Sequence, residues 1–396
     1  MFENVLNGNP ESSQPTSKVK EQFGRLYQDT NELYELPADA MEHGRLGLQG
    51  TALFLALEGN YPAREAVRTS LARRADRRCQ IIDIGTGPGQ WAESMGREFP
   101  HADVIGFDLV LPQTEIASPV NCTFLQGDIN DGLPQYHGQF DVVHARSILP
   151  GVRDVSWFVD ELARLLRPGG VMIMGDGDLQ LYDDATSNSE PEGTSAPASP
   201  VAEPGPDGEN ATQDKHHLFI TSARHGSRRS FRSPNTNTPL GEHVPRALSR
   251  DSCAMQRLFM TTWDALAEMG ANYGALSLLG GIVERNEAFT EADSLTVFIP
   301  MGLWHRAAVD ARTVVMSSVM GRDAVMVFAA MKKLLSRMVS EEEVEKLIKD
   351  AVDEGNSVTF RAHSAWHYLW AVRTSTPAPA SSAPSTTAPV IIPVQH

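Results

Sequence analysis

The stretch Ile81-Ile82-Asp83-Ile84-Gly85-Thr86-Gly87-Pro88-Gly89-Gln90-Trp91 decides the fold. A run of strand-forming residues enters a turn with a glycine at every second position, and a helical pattern leaves it. Glycine permits positive φ and lets the backbone approach a ligand closely. In an open parallel sheet, ligands gather beyond the carboxyl ends of the strands. This turn is therefore where a site belongs.

Working outward, the strand Cys79–Ile84 is followed by strands at Val104–Phe107, Cys122–Leu125, Phe140–His144 and Val171–Met174. Helical patterns separate them at Gln90–Phe99 and Asp154–Arg167, the second stopped by Pro168-Gly169-Gly170. Strands alternating with helices predict an α/β fold, a doubly wound parallel sheet with helices on both faces. Upstream, the pattern reads as helical from about Lys18 to Arg74, with one helix over Ala40–Leu57 and Pro62 placed to open another. Downstream, helices are expected at Met255–Met269, Ala307–Arg337 and Glu341–Glu354, the last capped by Ser340. Strands are expected at Leu295–Pro300 and Trp366–Val372.

Composition divides the 396 residues further. Residues 1–17 read as a flexible tail and 18–182 as the first part of a catalytic domain. Within 185–214 there is no aromatic residue, Leu or Ile, but there are five Pro and six acids; 215–250 carries seven Lys/Arg, four His and one acid, Glu242. Such a stretch buries too little apolar surface to offset its ordering entropy, so 183–250 reads as a disordered charged insert. Order resumes over 251–373, and 374–396 is a Pro/Ser/Thr tail. The chain has 34 Lys and Arg against 50 Asp and Glu, a net charge of −16. That balance argues against nucleic acid as the main partner. Cys79, Cys122 and Cys253 are widely spaced and suggest neither a disulfide framework nor a zinc site. The N-terminus shows no signal pattern, and Val314–Met331 is interrupted by Arg322 and Asp323, so no membrane span is expected. The expectation is a cytoplasmic or nuclear protein with no metal.

Two acids give the turn its chemistry. Asp108 ends the next strand, 19 residues after Gly89, where a carboxylate can accept from both hydroxyls of a ribose. A dinucleotide site would read GxGxxG/A; here the third small position is Gln90, and Pro88 removes an amide donor. The pattern with Asp83 ahead of the glycines is instead that of an S-adenosylmethionine (SAM) site. Asp83 would lie near the amino acid end of that ligand and Asp128 near its adenine. Leu109, Ile129 and Ala145 neighbour these positions, Thr86 lies in the turn itself, and all are assigned with Asp83, Gly85, Gly87 and Gly89 to the cofactor site.

With these residues in place, segments 81–91, 104–109, 124–129, 140–146 and 165–174 resemble the class I SAM-dependent methyltransferases. Leu33-Tyr34-Glu35-Leu36-Pro37, with Glu42 and Arg45, is similar to the leading segment of the fungal LaeA-like group, as is Phe140-Asp141-Val142-Val143-His144-Ala145-Arg146. The resemblance implies a Rossmann-like sheet of seven strands and a lid helix that brings Tyr34 and Arg45 to the cofactor. It covers about 25–182 and, more weakly, 251–373. It implies methyl transfer in fungal specialised metabolism, and the group also contains regulators.

Methyl transfer needs alignment and a dry site more than a battery of side chains. His144, at the end of a central strand, is the candidate general base and also a candidate cofactor contact. Arg146 is a candidate to hold the substrate, and Trp91 to pack beside the cofactor. Trp304, His305, His363, His367 and Trp370 read as core or edge residues. The histidines and arginines of the insert match no metal or nucleic-acid pattern strongly enough to be assigned. A small-molecule acceptor is expected, with a protein partner through 183–250 as the alternative. An NAD-dependent oxidoreductase is the third reading, disfavoured by Gln90.

Overall fold

The computed structural model describes residues 19–112, 117–183, 219–224, 245–271, 276–302 and 310–374. Its centre is an eight-stranded sheet in the order β5-β4-β3-β6-β7-β10-β9-β8. The strands are β3 (Cys79–Ile84), β4 (Ala102–Asp108), β5 (Cys122–Gln126), β6 (Phe140–Arg146), β7 (Leu166–Tyr182), β8 (Phe219–Arg224), β9 (Phe289–Met301) and β10 (Ala362–Arg373). β3 to β7 run parallel, whereas β10 is antiparallel to both β7 and β9. The strand order reverses between β3 and β6, and the glycine turn leaves β3 at that switch point.

The helices are α1 (Ala40–Leu57), α2 (Arg64–Ser70), α3 (Gln90–Glu98), α4 (Val155–Leu165), α5 (Ala254–Glu268), α6 (Leu276–Glu284), α7 (Ala311–Ala330), α8 (Lys332–Leu335) and α9 (Glu341–Gly355). They cover both faces because the parallel strands are apolar on both. Along β3, Ile81 joins Trp91, Met95 and Val67 on one side, and Ile82 and Ile84 join Phe158 and Leu162 on the other. A third core gathers α1, α5, α7 and α9 against β9 and β10. α7 is long and apolar enough to cross a membrane by composition. Here its Met316, Met320, Ala324 and Phe328 are buried within the fold instead.

The structure corrects four expectations. The stretch after Lys18 is not helical: β1 (Val19–Gln22) and β2 (Arg25–Gln28) form a hairpin. Its turn, Phe23-Gly24, has φ of 53° and 69°, the double positive of a type I′ turn, which Gly24 makes accessible. The single helix expected over Ala307–Arg337 is two, α7 and α8, which meet at Met331. β7 and β10 are much longer than the runs read as strands, because they pair with each other from Val171–Val372 to Tyr182–His363. Finally, Phe219–Arg224 of the stretch read as disordered adds an eighth strand, antiparallel to β9. Ala247, from the same stretch, bridges Tyr182. Residues 184–218 and 225–244 of that insert lie outside the described residues, as do 1–18, 375–396, Trp304 and His305.

Candidate functional site

The turn after β3 is held almost wholly by its own backbone. The Gly85 and Thr86 N–H groups donate to Phe107 O (2.8 and 3.1 Å), and Gly89 N–H donates to Thr86 O (3.0 Å). Gly87 N–H donates to Asp108 Oδ2 (2.7 Å). Gly85, Gly87 and Gly89 all have positive φ. At Gly89 the absence of a side chain is also a spatial need, since a Cβ would lie 2.7 Å from the Phe124 ring. Position 88 is proline. Every amide from 85 to 89 is therefore spent or missing, so the turn itself offers a phosphate no backbone donor.

It does fit a nucleoside that carries no phosphate. Asp108 sits at the carboxyl end of β4, its Oδ1 accepting weakly from Val110 N–H (3.2 Å). Burial pushes its carboxyl up to about 6, against the pull of the Gly87 and Val110 amides. Asp128 ends the following connection. Both of its bonds from Asn130, the backbone N–H (2.9 Å) and Nδ2 (2.8 Å), go to Oδ1. Burial raises this carboxyl too. Ile129 beside it is buried against Leu133 and Phe158, and Leu109 O accepts from Gln126 Nε2 (2.8 Å).

Beneath the turn lies a buried polar cluster. Asp83 Oδ2 accepts from the Thr86 hydroxyl (2.7 Å), and Asp83 Oδ1 accepts from His144 Nδ1–H (2.7 Å). The two rings of His144 and Trp91 stack at 3.9 Å, 6° from parallel, and Trp91 Nε1–H donates to Asn60 O (2.8 Å). Asp83, Trp91 and His144 meet because odd residues of β3 and even residues of β6 face α3. Burial lowers the His144 pKa, partly countered by Asp83, so the ring is neutral with Nε2 as its remaining acceptor. His144, Arg146, Thr86, Pro88 and Gln49 border the pocket at the turn. Ala145 faces the opposite side of the sheet, where it joins the core of Ile84 and Val143.

α1 forms the roof. Asp39 caps it by accepting from Glu42 N–H (3.0 Å) and is itself gripped by Arg25 Nε and Nη2 (2.6 and 2.8 Å). Arg45 is buried, and its head is occupied. Nε and Nη2 donate to Glu42 Oε1 (2.9 and 2.6 Å), and Nη1 donates to Asp323 Oδ1 of α7 (2.7 Å). Arg45 therefore ties α1 to the second half of the chain rather than presenting its guanidinium to the turn. Gln49 Nε2 adds a long bond to Asp323 Oδ2 (3.5 Å). Tyr34 is positioned by Gln28, whose Nε2 donates to Asn31 O (2.5 Å) and Tyr34 O (2.8 Å). Its hydroxyl feels Glu42, Asp108 and Arg45, and burial raises its pKa.

Sequence reading missed Asp323 and Gln49, which are reached only through the packing of α7 on α1. An aspartate breaking an otherwise apolar helix was the available signal for Asp323.

Residues 58–200 match the family model described as "Methyltransferase domain". Over 167 residues the chain is 32% identical to "Secondary metabolism regulator laeA" of Coprinopsis cinerea, covering 42% of this chain and 41% of that protein. It is 33% identical over 100 residues to "Methyltransferase str3" of Strobilurus tenacellus, covering 25% of this chain and 35% of the other. The chain thus spans about four tenths of the length of the curated relatives it matches. Among solved structures it is similar to phosphoethanolamine N-methyltransferase 2 of Haemonchus contortus, at 14% identity and a TM-score of 0.35, covering 83% of this chain and 57% of that one.

Proposed function

We infer that this chain, a class I SAM-dependent methyltransferase of the LaeA-like group, binds SAM at the turn after β3 and passes its methyl group to a small-molecule acceptor. The observation that carries the reading is the glycine turn whose amides are all engaged, with the Asp108 carboxyl at its lip. Such a turn has no backbone donor of its own for a pyrophosphate, and the carboxyl suits the hydroxyls of a ribose. Bound there, the sulfonium supplies the electrophilic methyl. Asp108 would hold the ribose, Asp128 the adenine amino group through its Oδ2, and the Asp83–His144–Trp91 cluster would fix the floor under the amino acid end. With Nδ1–H bound to Asp83 and its ring stacked on Trp91, the neutral His144 ring is held with Nε2 open toward the pocket, where it would position the ligand or accept a proton from the acceptor. Arg45 holds the roof closed through Asp323.

Calorimetric titration with SAM, its demethylated product and NAD tests this. SAM and its product are expected to bind and NAD to fail. Asp108→Ala should weaken SAM by about tenfold or more, the loss of two hydrogen bonds to a charged acceptor. Because the Asp108 carboxyl titrates at about 6 and is the better acceptor when charged, affinity should rise with pH through that value. Tight NAD binding without SAM binding overturns the reading.

A second reading, a regulator acting through protein partners, is favoured by β8, which brings six residues of the charged insert onto the sheet edge. Recovery of the same partners after deletion of 183–250 would remove it.

A further inference from the structure

Several buried or half-buried arginines of this protein meet carboxylates. Arg25 pairs with Asp39, Arg45 with Glu42 and Asp323, and Arg77 with Asp141. Arg146, the last residue of β6, does not. Its guanidinium is half-buried beside the cofactor turn, and among the described residues it has neither an ion pair nor a hydrogen bond. The nearby Asp83 is already spent on Thr86 and His144, and Asp176 stands on the opposite face of the sheet.

The sheet register brings a second polar group to it. Arg146 pairs with Gly175 of β7, and Gly175 pairs with Tyr368 of β10, so the three stand in one row on one face. The middle residue has no side chain: a Cβ on Gly175 would lie 2.6 Å from the Tyr368 ring. The ring therefore lies across Gly175 and directs its hydroxyl to the Arg146 guanidinium. Tyr368 is 2% exposed, and its hydroxyl completes no hydrogen bond. Burial pushes its pKa up to about 12 against the pull of Arg146, so the hydroxyl keeps its proton and can donate. α1 leaves room in the same way. A Cβ on Gly50 would lie 3.4 Å from Arg146 Nη2 and would overlap Gln90 Oε1.

A half-buried cation without a counter-ion, facing a buried hydroxyl without an acceptor, is the donor half of an anion site. The planar guanidinium fork matches the two oxygens of a carboxylate, and the tyrosine O–H adds a third donor. A tetrahedral phosphate needs more donors, and the amides of the adjoining turn are spent. The pocket at the turn, about 30 Å³, also suits the smaller group. We propose that Arg146 and Tyr368 form a carboxylate clamp at the cofactor pocket. Its carboxylate has two sources, the amino acid end of SAM or the methyl acceptor. Naming either source rests on the methyl-transfer reading; the clamp itself stands on the two side chains.

The test uses acetate and acetamide as probes, nearly one shape but different in charge. Binding is followed by ligand-observed NMR on the full chain. Wild type, Arg146→Gln, Arg146→Lys and Tyr368→Phe are compared, and thermal unfolding reports that each variant is folded. Wild type is expected to prefer acetate by about tenfold. The preference should vanish in Arg146→Gln, persist in part in Arg146→Lys and fall severalfold in Tyr368→Phe. Equal binding of acetate and acetamide, no binding of either, or a preference that survives Arg146→Gln overturns the proposal. Two competitors then identify the source: the demethylated product of SAM, and methylthioadenosine, a nucleoside thioether without the amino acid end. Displacement of acetate by the first alone assigns the clamp to the carboxylate of SAM. Acetate retained with the product bound assigns it to the acceptor. Displacement by methylthioadenosine as well places the acetate at the nucleoside end and overturns the proposal. If the preference for acetate holds but neither nucleoside binds, the clamp stands and the methyl-transfer reading falls. If both nucleosides bind and the preference is absent, the reverse holds.

Discussion

Asp83 and Asp176 are carboxyls on strands of the same sheet, 2% and 5% exposed, on opposite faces. Asp83 spends both oxygens inside the protein, on Thr86 and on His144. Asp176 spends one. Equal burial therefore means different things. The first carboxyl belongs to a self-contained structural unit that shapes the cofactor turn. The second keeps one oxygen without a hydrogen bond, and burial raises its carboxyl. Burial locates buried polar groups, and only the count of their bonds sorts architecture from recognition.

The comparison is broken most severely by turning a paired site into an unpaired one. Arg45→Ala would leave Asp323 and Glu42 facing each other in the core without their shared cation. Removing one partner of a buried ion pair costs about 3–5 kcal/mol, so urea unfolding should show a loss of that size. The Asp323 carboxyl, already raised by burial and held down chiefly by Arg45, would rise further. Asp83→Ala comes next. It strands the Thr86 hydroxyl and the buried His144 Nδ1–H, for an expected loss of about 3 kcal/mol, together with reduced SAM affinity as the turn loosens. If Asp83→Ala unfolds like wild type, the cluster is not the support it is argued to be.

At Asp176 the same kind of substitution should work in the opposite direction. Its folded-state pKa of about 7 lies above the ordinary 3.8. Between those values the folded protein holds a proton that the unfolded chain has released, so wild-type stability falls as pH rises across the window. Asp176→Asn removes that slope. It should be close to neutral near pH 4 and stabilising by about 2 kcal/mol at pH 8, within the ceiling of about 4 kcal/mol that the shift sets. Thermal unfolding of both proteins at the two pH values checks this. A destabilisation at pH 8 would mean that Asp176 has a structural partner and resembles Asp83 after all.

The sequence was legible where chemistry and secondary structure coincide within a short window. Asp83, Gly85, Gly87, Gly89 and Asp108 lie on one strand–turn–helix–strand unit, and their placement follows from strand periodicity and turn geometry alone. The partner of Arg45 was not legible, because Asp323 is 278 residues away and meets it only through helix packing. The faces of the outer strands were equally hidden: Asp176 pairs with His367 on the face of Met174 and Leu369, and Tyr368 pairs with Gly175 on the face covered by α1 and α7. Gly175-Asp176-Gly177-Asp178, after an apolar strand, carried a signal that reads as an ordinary strand end. The hairpin at 19–28 was missed for a different reason: charged residues mask its alternation, and the decisive residue is one glycine.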